Sequence, residues 1–497
     1  MGELKAQKYG KGHLPLVSGH WTLYSKFPHY RKYPAVVCVV IGAAGSSIQT
    51  AVSLIVIIVI LCPCMEYLLF VVYLVFFAWL VTKTPFFLST GMSKPQLVIL
   101  FLLKVIAGIF YGWMGLYYSR YAQMVDTWGF HYNGLVEYKL LGSNPVEYFT
   151  NIFNNPYPGG AGSFFASSNS YWNDLKGNVI IKLLSIFDIF SFGHYYVNVI
   201  FYSFITLFGP MAFYKVMNDV FPGRRLLLLM VVFFLPSFFY WGNGIHKEGL
   251  VFLCLAMIIY HIYFASREKK ISGKHIVYLL LWLFLLLILR NYLLVILLPA
   301  ILAWLLAIRW PGKVFLCFAS VYLLAGILFF GLRYVDPRLD FPRAVVNKQQ
   351  AFIQMVPGNS TLPITQLRAN VGSFIKNTPQ AISLAAIRPY PSDIYHLLSL
   401  AAALEIDLVL LLFLIFLIWR RRDGPHSWPV IWFSLFYSFS FFLVVGFSVN
   451  NLGAIVRYRS IILPLLVTPI VLSINWEKIY SYFKRDISYK NNVNKIA

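Results

Sequence analysis

Charge is what this chain has least of. Asp, Glu, Lys and Arg make up 12% of its 497 residues, about half the share of a soluble domain. Acids are the rarer sign, 18 against 41 bases. So little charge cannot clothe a water-facing surface, which excludes a soluble enzyme. Cysteine is scarce as well. Of five, Cys38, Cys254 and Cys317 lie in or beside apolar runs, and Cys62 and Cys64 flank Pro63. That scatter excludes a disulfide framework and a thiolate metal site. A nucleotide P-loop, GxGxxG, HExxH, CxxC and the DxD cluster of metal-dependent nucleotide-sugar enzymes are all missing. No cofactor is therefore expected, and a divalent metal requirement stays open. The first 34 residues hold no short apolar core with a cleavage site, so no removable leader is expected.

Apolar residues fill the space that charge leaves. The chain is 59% hydrophobic and 18% aromatic, with a mean hydropathy of +0.70. Its apolar runs have the length of membrane-spanning helices. About twelve are expected, at 35–61, 66–82, 95–117, 195–217, 225–241, 249–265, 276–289, 292–308, 313–332, 403–419, 428–447 and 460–474. The expectation is an all-α polytopic membrane protein with one transmembrane domain, 35–475. A basic cytoplasmic segment, 1–34, precedes it and a basic tail, 476–497, follows.

The net charge of +23 would suit nucleic acid if it were spread over one face. Instead more than half of the Lys and Arg fall in the segments on the N-terminal side of the membrane, including REKK at Arg267–Lys270 and RRR at Arg420–Arg422. That bias is an orientation signal and an attraction to anionic headgroups. It puts both termini in the cytoplasm, names membrane lipids as partners and excludes nucleic acid.

On this topology the outer face receives two long loops, about 118–194 and 333–402. Loops of such length are uncommon unless they have a function. NPVEYFTNIFN and NVIIKLLSIFDIF in the first, with RAVVNKQQAFIQMV and PITQLRANVGSFIKNTPQAISLAAI in the second, have the spacing of short interfacial helices.

Four outer stretches carry groups with chemistry. In YYSRYAQMVDTWGFHYNGLVEY, Asp126 is the first carboxylate after the third span. It can serve as a general base, although a solvated acid in an aromatic belt would look the same. Trp128, His131 and Tyr132, with Trp241, offer faces on which a sugar ring can stack. In WGNGIHKEG, Gly242 and Gly244 permit a tight turn with positive φ. His246 and Lys247 stand at a helix start, where free N–H groups suit an anion; an ordinary polar turn is the plain alternative. In SVNNLGAIVRYRSIILPLL, Arg457 and Arg459 bracket Tyr458 on a short outer connection where the positive-inside bias disfavours them. A planar guanidinium fits phosphate oxygens. In IRPYPSDIYHLLSLAAALE, Arg388, Asp393 and His396 precede a span that holds Glu405 and Asp407. Arg290 is a further outer cation. Lys104 lies mid-span and is expected to pair across the bundle or snorkel, without a catalytic role.

This arrangement resembles the GT-C superfamily of polytopic glycosyltransferases, in the form found in bacterial surface-polysaccharide assembly. The resemblance rests on QMVDTWGFHYNG, the two surface-helix stretches of the first loop, WGNGIHKEG and VRYRSIILPLL, within about 95–475. It departs from the family pattern in one respect: the family's acid usually follows the first span, whereas Asp126 follows the third. The resemblance implies transfer of a sugar from a polyprenyl-phosphate donor to a glycan or lipid acceptor on the non-cytoplasmic face of the bacterial inner membrane. Asp126 would be the catalytic base. His246, Lys247, Arg388, Arg457 and Arg459 would bind the lipid phosphate. Stereochemical outcome stays open, as do two other readings of the same residues. One is a polysaccharide polymerase or ligase, which needs the cations but not the base. The other is a lipid-linked oligosaccharide flippase, although flippases and transporters place polar groups near the midplane and here they crowd the outer surface.

Overall fold

The computed structural model describes residues 48–117, 126–157, 170–268, 273–421 and 423–482. The expected segment 1–34, the start of the first apolar run, residues 158–169 of the first loop and the end of the basic tail lie outside these. The named helices are α1 (Ile48–Val81), α2 (Lys94–Tyr117), α3 (Asp126–Ser143), α4 (Tyr171–Ser191), α5 (Tyr195–Val220), α6 (Arg225–Phe234), α7 (Lys247–Arg267) and α8 (Gly273–Leu289). There follow α9 (Asn291–Arg309), α10 (Val314–Gly331), α11 (Phe341–Ile353), α12 (Val371–Ile382), α13 (Leu397–Ile418), α14 (Trp428–Ser448), α15 (Leu452–Ser460) and α16 (Leu463–Leu472). Among the described residues there is no strand, only two isolated bridges.

Seven helices are long and apolar enough to cross a membrane: α2, α5, α7, α9, the stretch Pro311–Tyr334 around α10, α13 and α14. The α15–α16 pair, bent by 60°, makes an eighth if counted as one span. These helices argue for a multi-pass membrane protein. Three of the other expected spans appear as shorter apolar stretches, the Met65–Val81 part of α1, α6 and α8. The expected run 225–241 is broken at Leu235, which takes an extended conformation (φ −60°, ψ 120°) before Pro236. Proline's ring disfavours helical geometry in the residue before it, so α6 stops there and a separate short helix, Pro236–Trp241, begins. The break expected between the runs 35–61 and 66–82, at Pro63, is not present either. α1 continues through it as one 34-residue helix, about 51 Å long at 1.5 Å per residue.

The bundle is built around α5 and α7, whose apolar windows are the most enclosed of the spans. They approach closely because Gly209 of α5 presents no side chain: a Cβ there would lie 2.9 Å from the Leu253 Cα. Small residues at such crossings allow helix backbones to approach in membranes. By contrast α13 and the Pro311–Tyr334 helix are mostly exposed and carry apolar side chains such as Leu323, Ile327, Leu408 and Leu411 outward. That is the surface a lipid tail would meet.

At one end of the bundle the basic connections meet. Arg421 N–H donates to the Ser473 carbonyl (2.9 Å) and His426 N–H to the Val220 carbonyl (3.0 Å). At the opposite end lie the elements of both long loops. α3 packs beside α4, pinned by a Lys182–Glu137 ion pair at 2.5 Å. α11 and α12 rest on the end of α14, where Gln349 Nε2 donates to the Phe447 carbonyl (2.9 Å) and Phe374 meets Phe447 edge-on at 5.0 Å. The chain between them is tied to the start of α15 by Leu362 N–H to the Asn450 carbonyl (2.7 Å) and Leu452 N–H to the Ser360 carbonyl (2.8 Å). The second loop therefore fixes the helix that carries Arg457.

Gly446 is what lets α12 sit down on α14. A Cβ there would stand 2.0 Å from the Ala381 carbonyl oxygen, which has no flexible end to move aside. Gly446→Ala is expected to cost about 1–3 kcal/mol by overpacking and to lower the melting temperature of the purified protein in detergent. Gly326→Ala on α10, where nothing lies within 4 Å, is expected to leave it unchanged.

Candidate active site

The stretch WGNGIHKEG is the centre of the site, and it is almost wholly buried. Gly242 does not use positive φ, since its φ is −79°, and Gly244 is not among the glycines that do. Both are required by close approach instead. A Cβ on Gly244 would lie 2.1 Å from the Tyr111 ring, and one on Gly249 would lie 2.6 Å from the Gly242 carbonyl oxygen. Between them, Asn243 is held from below by Lys104. The lysine Nζ donates to Asn243 Oδ1 (2.5 Å) and to the Gly242 carbonyl (3.3 Å). That is the expected cross-bundle pairing of a mid-span lysine, and its partner is the loop at the site. His246 is the N-terminal cap residue of α7 in extended geometry (φ −156°, ψ 168°), and its carbonyl accepts from the Tyr202 hydroxyl.

Four segments far apart in the chain meet here. Asp126 opens α3, a position where a carboxylate also favours the helix dipole. Its Oδ2 accepts from Arg457 Nη1 at 2.7 Å and lies 3.2 Å from His246 Nε2. Arg457 Nη1 is 3.4 Å from the same imidazole nitrogen. The other ring nitrogen of His246 contacts Glu248 Oε2, while Glu248 Oε1 accepts from Arg290 Nη2 and lies 3.7 Å from Arg457 Nε. Glu248 is fully enclosed, whereas the Asp126 side chain is 35% exposed. The imidazole thus bridges one sealed carboxylate and one that opens outward. Rings wall the cluster. Trp241 lies 5.7 Å from the Arg457 guanidinium, Tyr458 lies 4.3 Å from that of Arg290, and Phe130 lies 5.4 Å from Lys247 Nζ.

Burial alone would raise the Asp126 carboxyl. The hydrogen bond with His246 and the positive charge of Arg457 outweigh it and hold the group well below the usual carboxylate range. Asp126 is therefore ionised at any physiological pH. Burial pushes the His246 imidazole down to about 4, against the pull of its hydrogen bond to Asp126. His131 is likewise pushed down to about 4, by burial and then by the neighbouring His194.

The structure brings together Asp126, His246, Lys247, Arg457 and Trp241 of the residues expected from sequence. It does not bring in Arg388 or Arg459. Arg388 pairs with Asp393 at 3.1 Å. Arg459, fully buried, donates from Nη1 to the carbonyls of Ala385 (3.3 Å) and Arg388 (2.7 Å). The reason is helical geometry. Arg457 and Arg459 share α15, and two residues on a helix are rotated by about 200°, so their side chains diverge. Trp128 stacks on Tyr195 with centroids 4.1 Å apart and donates from Nε1 to the Gly112 carbonyl (2.9 Å), which occupies one of its faces. His131 is buried edge-on to Tyr195 at 5.3 Å. Tyr132 is 55% exposed.

No protein-family model matches this chain, and no curated protein and no solved structure matches it significantly either. Among the described residues no group of three or more His, Cys, Asp or Glu could hold a metal ion.

Two members of the cluster have more weight here than their sequence context suggested. By sequence Glu248 is an acid in the first turn of a helix, which the helix dipole favours in any case, and Arg290 is an isolated outer cation. A lone arginine between two apolar runs, LILRNYLL, does signal a buried partner; only the fold shows that the partner is Glu248. Removing one member of a buried ion pair typically costs about 3–5 kcal/mol. Glu248→Gln is therefore expected to destabilise the protein on that scale in denaturant melts. Glu248→Gln combined with Arg290→Met is expected to regain part of the loss, because the second change removes the stranded cation.

Proposed function

We propose that the protein is a membrane glycosyltransferase that moves a sugar from a polyprenyl-phosphate-linked donor to a glycan or lipid acceptor on the non-cytoplasmic face, in cell-envelope polysaccharide or glycolipid assembly. One observation carries the reading. A partly open carboxylate, Asp126, shares a cluster with His246 and Arg457; the three come from different segments of the chain and their polar atoms lie within 3.4 Å of one another. The outward orientation rests on the basic connections gathered at the opposite end of the bundle. The twelve-span count rests on the apolar runs of the sequence.

In this mechanism Asp126 accepts the proton of the acceptor hydroxyl, whose oxygen attacks the anomeric carbon. The carbon–oxygen bond to the lipid phosphate breaks, and the electron pair leaves with the phosphate. Cations aimed at that developing charge are usually the largest catalytic contribution, and Arg457 and Lys247 supply them here. Both charges also act on Asp126. While Arg457 is bound to Asp126, the carboxylate is a poor base. A donor phosphate that draws the guanidinium away makes it a better one, so donor binding readies the base.

Asp126→Asn is expected to reduce sugar transfer by about 10²–10⁴, the usual contribution of a general base. Lys247→Ala is expected to reduce it by about 10²–10³, by analogy with loss of one charge-stabilising donor. The assay is turnover of lipid-linked sugar by the full-length protein in liposomes. Unchanged transfer by Asp126→Asn would sink the base and favour a polymerase-like site using the cations alone. Movement of the lipid-linked sugar without new glycosidic bonds would favour a flippase.

A further inference from the structure

Asp126 is the first residue of α3, and side chains that the reaction disturbs hold its carboxylate. When a donor phosphate draws Arg457 away, the 2.7 Å bond is lost and the 3.2 Å contact with His246 Nε2 remains. A base that must meet a hydroxyl at that moment needs support elsewhere, and the next two residues supply it. Thr127 is fully buried, and its hydroxyl shares a hydrogen bond of 2.7 Å with that of Tyr195. Trp128 lies nearly flat on the same ring, with centroids 4.1 Å apart and planes at 19°, and is tied to α2 through the Gly112 carbonyl. Tyr195 is itself buried, at the start of α5, one of the two most enclosed spans. Its ring passes over Gly112, where a Cβ would stand 2.4 Å from it. The ties between α3 and α4, Gly134 against Leu184 and Glu137 with Lys182, lie about two turns or more beyond Asp126.

We propose that Tyr195 is a positioning residue for Asp126: its ring and hydroxyl fix the first turn of α3, and through it the place of the carboxylate. The inference rests on the glycosyl-transfer reading above, in which Asp126 is the base. Ring and hydroxyl do different things. A stacked pair fixes the separation of two rings but tolerates an offset between them, so the Trp128 stack alone lets the turn slide across Tyr195. A hydrogen bond is directional and weakens steeply when bent or stretched. The Thr127–Tyr195 bond therefore sets the offset that the stack leaves free. The hydroxyl touches no substrate and acts through the adjacent residue. Its effect on rate comes from geometry, since a shift of about 1 Å in a catalytic group can cost about 10²-fold.

Tyr195→Phe removes the hydroxyl and keeps the ring. In the full-length protein in liposomes it is expected to lower kcat for sugar transfer by about tenfold or more, with KM for the lipid-linked donor nearly unchanged. Thr127→Val removes the same bond from the other side and is expected to match it, and the double variant to be no worse than either. The deciding comparison is made in the Asp126→Asn background, where Tyr195→Phe is expected to cost nothing further. An equal loss with and without Asp126 would mean general damage to the fold and overturns the proposal, as does wild-type kcat in Tyr195→Phe. Hydrogen exchange reads the same contact without any substrate. The backbone amides of 130–133, whose helical acceptors are the carbonyls of 126–129, are expected to exchange faster in Tyr195→Phe, while those of α7 stay as in wild type. Unchanged exchange at 130–133 overturns the clamp and leaves the transferase reading standing. Faster exchange there, with no transfer by wild type from any donor, keeps the clamp and overturns the transferase.

Discussion

Glu248 is the constraint from which the site follows. It is a carboxylate sealed from solvent at the first turn of α7, in a bundle whose interior cannot tolerate an unpaired charge. Its oxygens are shared between Arg290 from the start of α9, His246 from its own helix cap and, at longer range, Arg457 from α15. Each partner is thereby given one position. His246 is turned so that its second nitrogen reaches Asp126, and Arg457 so that a second guanidinium nitrogen does the same. The geometry at the exposed carboxylate is thus set by the buried one.

The loop that carries this carboxylate is held by packing rather than by turn chemistry. Lys104 reaches up from α2 to bind Asn243 and the Gly242 carbonyl. Tyr111 closes over Gly244, and Tyr202 binds the His246 carbonyl. A mid-span lysine is expensive in a membrane. Here its desolvation is offset by two oxygen acceptors, which pack the loop from beneath. The same logic governs the second outer loop, which is sewn to the start of α15 by backbone hydrogen bonds. α15 in turn is braced by Arg459, whose guanidinium binds the carbonyls of Ala385 and Arg388.

Much of this was legible before the fold. The apolar runs at 95–117, 195–217, 249–265, 292–308, 313–332, 403–419 and 428–447 all appear as helices long enough to cross a membrane, because backbone satisfaction in lipid leaves helices little alternative. The polar islands WGNGIHKEG and VRYRS stood out against those runs, and both carry side chains of the cluster. What could not be read was the breaking of 225–241 at Pro236, the continuity of α1 through Pro63, and the rotation that sends Arg459 away from Arg457. Each depends on whether local geometry or long-range packing prevails at one residue, and composition is blind to that.

The sequence by itself determined the class of molecule: an all-helical, multi-pass chain, with its rare polar groups crowded into a few short connections. Scarcity of charge does this, since each of the few ionisable residues must have a partner or a purpose in a low-dielectric bundle. Only the tertiary structure decided which partner. Asp126, His246, Glu248, Arg290 and Arg457 are spread over 332 positions of the chain on four segments with no shared period. Pairing among them is chosen by how helices cross and how far each is rotated. Glycines at 108, 112, 244 and 249 allow the close approach, and the sum of such contacts is a property of the packed bundle rather than of any stretch within it.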